Sequence, residues 1–186
     1  MSRSFHHRLA TRADLPRLTA LMDAAIGELQ RGFLNDSEIK ASRAIMGLDT
    51  QLIDDATYFA IESVTGDELA GCGGWSRRAT LYGGDHSPGR DAAFLDPDRD
   101  AARVRAMYTA PQFARRGVGR LILDLCEAAA AAEGFRRVEL AGTLSGEPLY
   151  AACGYSVIER FLDDRGGTPV PLARMGKTLA PPDSDV

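Results

Sequence analysis

Cysteine is scarce in this chain: Cys72, Cys126 and Cys153 are odd in number and lie far apart. That spacing fits neither a disulfide framework nor a CxxC metal site, and a reducing, cytoplasmic setting is expected. The three histidines, His6, His7 and His86, make no ligand pattern such as HExxH, so metal catalysis is not expected. GxSxG is missing, which argues against hydrolysis by a Ser-His-Asp triad. No run of about twenty apolar residues occurs, and "MSRSFHHRLATRADLPRL" lacks the apolar centre of a secretion signal. Neither export nor membrane insertion is expected. A broad positive field is also lacking: 22 Lys and Arg stand against 26 Asp and Glu, for a net charge of −4. A nucleic-acid partner is therefore not expected.

What is present suits one α/β domain over residues 1–179, with "APPDSDV", residues 180–186, as a flexible tail. "FHHRLA" reads as a short strand. Leu15, Leu18, Leu21, Met22, Ala25, Ile26 and Leu29 recur at helical spacing behind Asp14, expected as the cap, and Pro16. "NDSEIKASRAIM" reads as a second helix capped by Asp36 or Ser37. "TYFAIESV" and "ELAGCGGWSRRA" flank the turn "TGDE" and form a hairpin. Residues 81–100 are rich in Gly, Pro and Asp without a period, and such long loops often serve as lids. "ARVRAMYTA" and "RRVELAG" are strands, "SGEPLYAAC" is a short helix stopped by Gly154, and "YSVIERFL" and "VPLARMGKTL" close the chain. Cys126, in an apolar helical stripe, is expected to be buried and inert, and Trp75 to be core or pocket wall.

The richest stretch is "APQFARRGVGRLILDLCEAAAAAEGFRRVEL", Ala110 to Leu140. A strand leads through Pro111 and two glycines into a helix striped by Val118, Leu121, Ile122, Leu125, Cys126 and Ala129, with Gly134 as its stop. Such a turn gathers unpaired backbone N–H groups at the positive end of a helix dipole, which is a phosphate site. Arg115, Arg116 and Arg120 can add charge-assisted contacts. The Walker loop GxxxxGK[ST] is absent, and the dinucleotide fingerprint breaks at Ile122.

"VRAMYTAPQFARRGVGRLIL" resembles the acetyl-CoA-binding motif of the GCN5-related N-acetyltransferases, and "GEPLYAACGY" is similar to a second segment of that family. The resemblance spans Arg103 to Ile158. It implies an α/β (α+β) fold: a mixed, mostly antiparallel sheet whose fourth and fifth strands splay apart, with helices on both faces. It further implies that Met107, Tyr108 and Thr109 hold the pantetheine and thioester through the backbone. Arg115, Arg116, Gly117, Val118, Gly119 and Arg120 would hold the pyrophosphate, with Ala114 at the family's Gln/Arg place contributing only its amide. Thr143 stands where the family often has Asn against the pantetheine, and Tyr150 is the implied acid for the departing thiolate. The implied activity is acetyl transfer from acetyl-CoA, as co-substrate, to a primary amine of a small-molecule acceptor by direct attack in a ternary complex. Transfer to a protein or peptide, transfer of another acyl group, and a non-catalytic acyl-CoA sensor are the alternatives, and a homodimer is left open. "ARVRAMYT" lacks the carboxylate that several members carry on this strand. Glu62 is therefore the first candidate base, with Asp85, His86 and a water chain beside it. Arg77, Arg78 and Arg105 would favour an anionic amine such as an amino acid, whereas five Asp against two Arg in loop 81–100 would favour a polyamine or aminoglycoside.

Overall fold

The structure is a computed structural model that describes residues 5–64 and 68–180. Residues 65–67 of the expected "TGDE" turn and residues 181–186 of the expected tail lie outside them. Seven strands form one sheet: β1 (Phe5–Leu9), β2 (Tyr58–Ser63), β3 (Leu69–Ser76), β4 (Ala102–Thr109), β5 (Arg137–Thr143), β6 (Ser156–Asp163) and β7 (Val170–Thr178). Their order is β1-β2-β3-β4-β5-β7-β6, and every neighbouring pair is antiparallel except β4 and β5. All eight residues of β3 are buried, so the sheet is covered on both faces at its centre. β6, by contrast, is an edge strand exposed along nearly its whole length.

Helix α1 (Leu15–Glu28) carries Pro16 in its first turn, as expected, and turns Leu18, Leu21, Met22, Ala25 and Ile26 inward. Asp14 stands at its N-cap position, as expected, but its side chain makes no capping hydrogen bond. Its carboxylate instead accepts the Thr11 N–H at 2.8 Å and the Arg8 guanidinium at 2.7 and 2.8 Å, because a cation lies closer than the helix amides. Helix α2 (Asp36–Ser42) starts one residue earlier than expected. Its cap is Asn35, in a reciprocal capping box with Glu38, so neither Asp36 nor Ser37 fills that role. A five-residue helix α3 (Thr50–Asp54), unforeseen in the sequence, follows Asp49, whose side chain accepts the Gln51 N–H.

Helix α4 (Val118–Ala132) packs against β3 and β4, and α5 (Glu147–Ala152) against β5. On α4 the fully buried positions are Val118, Ile122, Leu123, Cys126 and Ala130, while Leu121, Leu125 and Ala129 are only partly covered. Burying each large apolar side chain there contributes about 1.5–3 kcal/mol. Trp75 belongs to the core: it is buried, its ring lies edge-on to Phe135, and Arg77 stacks over it at 5.1 Å.

Candidate active site

The turn expected to form an anion-binding doorway has a definite backbone geometry. Arg115 and Gly117 both adopt left-handed φ, +63° and +88°, and turn the chain sharply from the 3-10 turn Pro111–Phe113 into α4. The Leu121 N–H bonds back to the Gly117 carbonyl at 3.0 Å. The amides just before it have no carbonyl of their own helix to bond, and they open on a cleft of about 660 Å³. Arg115, Gly117, Val118, Gly119 and Arg120 line that cleft. Arg116 does not. Its guanidinium lies over the rings of Phe113 and Phe5, at 5.1 and 5.8 Å, where stacking on the two ring faces competes with reaching back toward the helix end. Its side chain therefore stands apart from the phosphate contact expected of it. Residues Ile26, Leu29 and Phe33, at and just beyond the end of α1, form an apolar wall of the cleft that no motif announced.

The splay between β4 and β5 is explicit in the register. The two strands pair only at Ala102↔Val138 and Arg103↔Glu139. On its other edge β4 stays bonded to β3 through Cys72↔Tyr108 and Gly71↔Thr109, and Ala110 N–H donates to Ala70 at 2.9 Å. Backbone groups alternate edges along a strand, so the N–H groups of Met107 and Thr109 face the gap left by β5. The register with β3 slips between Cys72 and Gly74, and Ala106, opposite that slip, takes a left-handed φ of +49°. This is a β-bulge, which re-aims the residues after it. The adjacent glycines Gly73 and Gly74 are the sequence signal for it.

A smaller cavity of about 90 Å³ continues from the cleft past the splay. Its walls come from the segment before α3, from Leu81, Tyr82 and Gly83, and from β4, β5 and β7. Met46, Met107, Tyr108, Thr143 and Tyr150 line both spaces and so mark where they meet. Tyr150 stands on α5, and its hydroxyl has no hydrogen-bond partner among the described residues; burial pushes it up to about 12. The Tyr108 hydroxyl accepts the Gly47 N–H at 2.8 Å. Thr143 shares a hydrogen bond with Ser145 at 3.0 Å, a cleft residue the sequence reading passed over.

None of the residues lining either space is a carboxylate or a histidine. Glu62 is held at the start of α1 by Arg8, Arg17 and His6, and the Arg8 hydrogen bond holds its carboxyl below the usual range. It lines neither space, which speaks against the role of base expected of it. Asp85 accepts the Thr50 N–H at the start of α3, and His86 donates from Nε2 to the Arg43 carbonyl at 2.7 Å; neither is among the residues that line the two spaces. Arg77 pairs with Glu133 and Arg78 with Asp55, away from the cavities. Arg105 does border the small cavity. Its charge is buried against Asp49 at 2.7 Å, however, and desolvation lowers its affinity for the proton.

The sequence model of the acetyltransferase (GNAT) family matches residues 19–155. No curated protein matches the chain. A GCN5-related N-acetyltransferase from Rhodopseudomonas palustris superposes with a TM-score of 0.70 at 16% identity, over 96% of this chain and 98% of that one. The PaiA N-acetyltransferase from Thermoplasma acidophilum, solved in complex with coenzyme A, gives 0.61 at 13% identity over 94% and 99%. The ribosomal-protein-S18-alanine N-acetyltransferase from Escherichia coli gives 0.57 at 12% identity, covering 98% of each chain. At these identities the likeness is one of fold.

Proposed function

The chain belongs to the acetyltransferase (GNAT) family, and from that premise we propose that it transfers the acetyl group of acetyl-CoA to the primary amine of a small molecule, by direct attack in a ternary complex. The observation that carries this reading is the meeting of a long cleft and a small cavity at Met107, Tyr108, Thr143 and Tyr150. The pyrophosphate of acetyl-CoA would sit on the amides at the start of α4, assisted by Arg115 and Arg120. The pantetheine would run along the free edge of β4, with the thioester at the splay. The acceptor would come from the small cavity, whose 90 Å³ has room for about three waters at roughly 30 Å³ each, which favours a small amine.

In this reading the amine nitrogen bonds to the thioester carbon and the C–S bond breaks. Charge developing on the thioester oxygen meets the N–H of Met107, aimed into the gap. An amine of pKa about 10.4 must first lose a proton, at a cost of about 4.6 kcal/mol at pH 7. With no carboxylate in the lining, water and backbone carbonyls are left to carry that proton away. Tyr150, held protonated by burial, lends a proton to the departing sulfur and is refilled from the proton that nitrogen gives up, so the two balance. None of the five aspartates of loop 81–100 lines the small cavity, which removes the support for a polyamine acceptor.

The test is acetyl-CoA turnover against matched panels of small primary amines and peptides, read as CoA release and acetylated product. Small amines are expected to react and peptides not. The lining without a carboxylate or histidine base also fits a non-catalytic acyl-CoA sensor. Calorimetric binding of acetyl-CoA with no acetylated product from either panel would establish that reading instead.

A further inference from the structure

Tyr58 stands on β2, two strands away from the splay, and is buried. Its side chain crosses β3 at Gly74, where an added Cβ would meet the ring at 2.7 Å, and its hydroxyl donates to the Ala106 carbonyl at 2.7 Å. Ala106 is the left-handed residue of the bulge, a backbone state an alanine adopts only when its surroundings impose it. The peptide joining Ala106 to Met107 is planar and trans, so its C=O and N–H point in opposite directions. Fixing the carbonyl toward Tyr58 fixes the Met107 N–H away from it, toward the unpaired edge of β4. We propose that Tyr58 is a positioning residue for acetyl transfer, which sets the aim of the Met107 amide by holding the other end of the same peptide. The proposal rests on the acetyl-transfer reading above and adds to it a residue that touches neither substrate.

Gly73 and Gly74 are part of the device. An added Cβ on Gly73 would lie 2.8 Å from Met107 Cγ, and one on Gly74 would lie 2.6 Å from the Thr57 carbonyl, so larger residues would push the bulge or Tyr58 out of place. Cys72 lies beside the Tyr58 hydroxyl, and burial pushes that thiol up to about 12. It stays neutral and does not compete for the phenol proton as an anion would.

The test is Tyr58→Phe, which keeps the ring and deletes the hydroxyl. Two quantities are read: steady-state kinetics, and the infrared stretch of the carbonyl in bound acetyl-CoA labelled with carbon-13 at the acetyl carbon. Removing an oxyanion donor outright lowers kcat by about 10²–10³-fold, and a donor that is present but loosely aimed should lose about tenfold. KM for acetyl-CoA should stay within about twofold, since the phosphate end is untouched. The carbonyl band, shifted to lower frequency in the wild-type complex, should move back toward that of free acetyl-CoA. A residue that served only stability would lower the melting temperature and leave the band where it was. If Tyr58→Phe alone does not fold, it is read in an Ala106→Gly background, where the left-handed strain is relieved. Unchanged kcat and an unchanged band in the folded variant overturn the role of Tyr58 while leaving acetyl transfer intact. A wild-type complex with neither band shift nor turnover overturns the acetyl-transfer reading and this inference together.

Discussion

At the scale of single residues, Tyr150 and Glu62 show how surroundings decide what an ionisable group can do. Tyr150→Phe should lower turnover by about 10²-fold, because proton donation of that order acts in the transition state, while acetyl-CoA affinity holds within a few-fold. With the hydroxyl pushed up to about 12, the pH–rate profile should show no falling limb from Tyr150 below about pH 11. Its rising limb should follow deprotonation of the acceptor amine. Full turnover in Tyr150→Phe with a lowered melting temperature would make it a core residue. Glu62→Gln should leave kcat within about twofold, and a large loss would restore Glu62 as a base. The real work of Glu62 and Asp14 is electrostatic. Hydrogen bonds from Arg8 hold both carboxyls below their ordinary range in the folded protein. Groups depressed in this way stabilise the fold above about pH 4, and that contribution drains away as pH falls through the folded values. Melting curves between about pH 6 and pH 2 should therefore fall less steeply for Arg8→Met than for the wild type.

Elements were legible in proportion to the length of their pattern. The apolar stripe of α4, the Pro16 start of α1 and the succession of seven strands along the chain could be read directly, from helical spacing, a helix-start residue and β-rich segments set off by turn residues. Five-residue α3 offers barely one turn, and its start at Asp49 looks like any polar loop. The arginines misled for a different reason. A sequence gives their charge but not their direction, and Arg77, Arg78 and Arg116 turned to Glu133, Asp55 and the Phe113 ring instead of the cleft. The bulge at Ala106 had its signal on the neighbouring strand, in Gly73 and Gly74, because alanine itself rarely carries a left-handed φ. At the start of α4, Gly117→Ala should weaken acetyl-CoA by about tenfold or more. An added Cβ meets nothing within 4 Å, so the penalty is the strain of φ +88°, about 1 kcal/mol, together with displacement of the amides proposed to bind phosphate. Calorimetry on the folded variant checks it, and unchanged affinity would remove the phosphate role from this turn.

Across the whole molecule, loop 81–100 is tied to several separate segments. Asp85 N–H donates to Leu48 at 2.8 Å, Ser87 Oγ to Ala44 at 2.8 Å, and the Tyr82 hydroxyl to Asp163 at 2.7 Å. At the hub, buried Asp49 at the start of α3 pairs with Arg90 of this loop and Arg105 of β4, so one carboxylate joins three segments. Asp49→Asn would leave two guanidinium groups poorly compensated, at a cost of about 3–5 kcal/mol. For a chain of this size the melting temperature should drop by roughly 10 °C. A shift under about 3 °C would mean that the hub is dispensable. β3 carries a different kind of constraint. Its Gly71 and Gly73 admit the Val118 and Ile122 side chains of α4, and its Gly74 admits Tyr58, with no room for even one methyl group. Tolerance to substitution should therefore be lowest along a strand that meets no ligand. In a saturation library, β3 would stand out as a vulnerable spine through the middle of the sheet, and drift in this lineage would be channelled to the exposed β6 edge, where most side chains face only water.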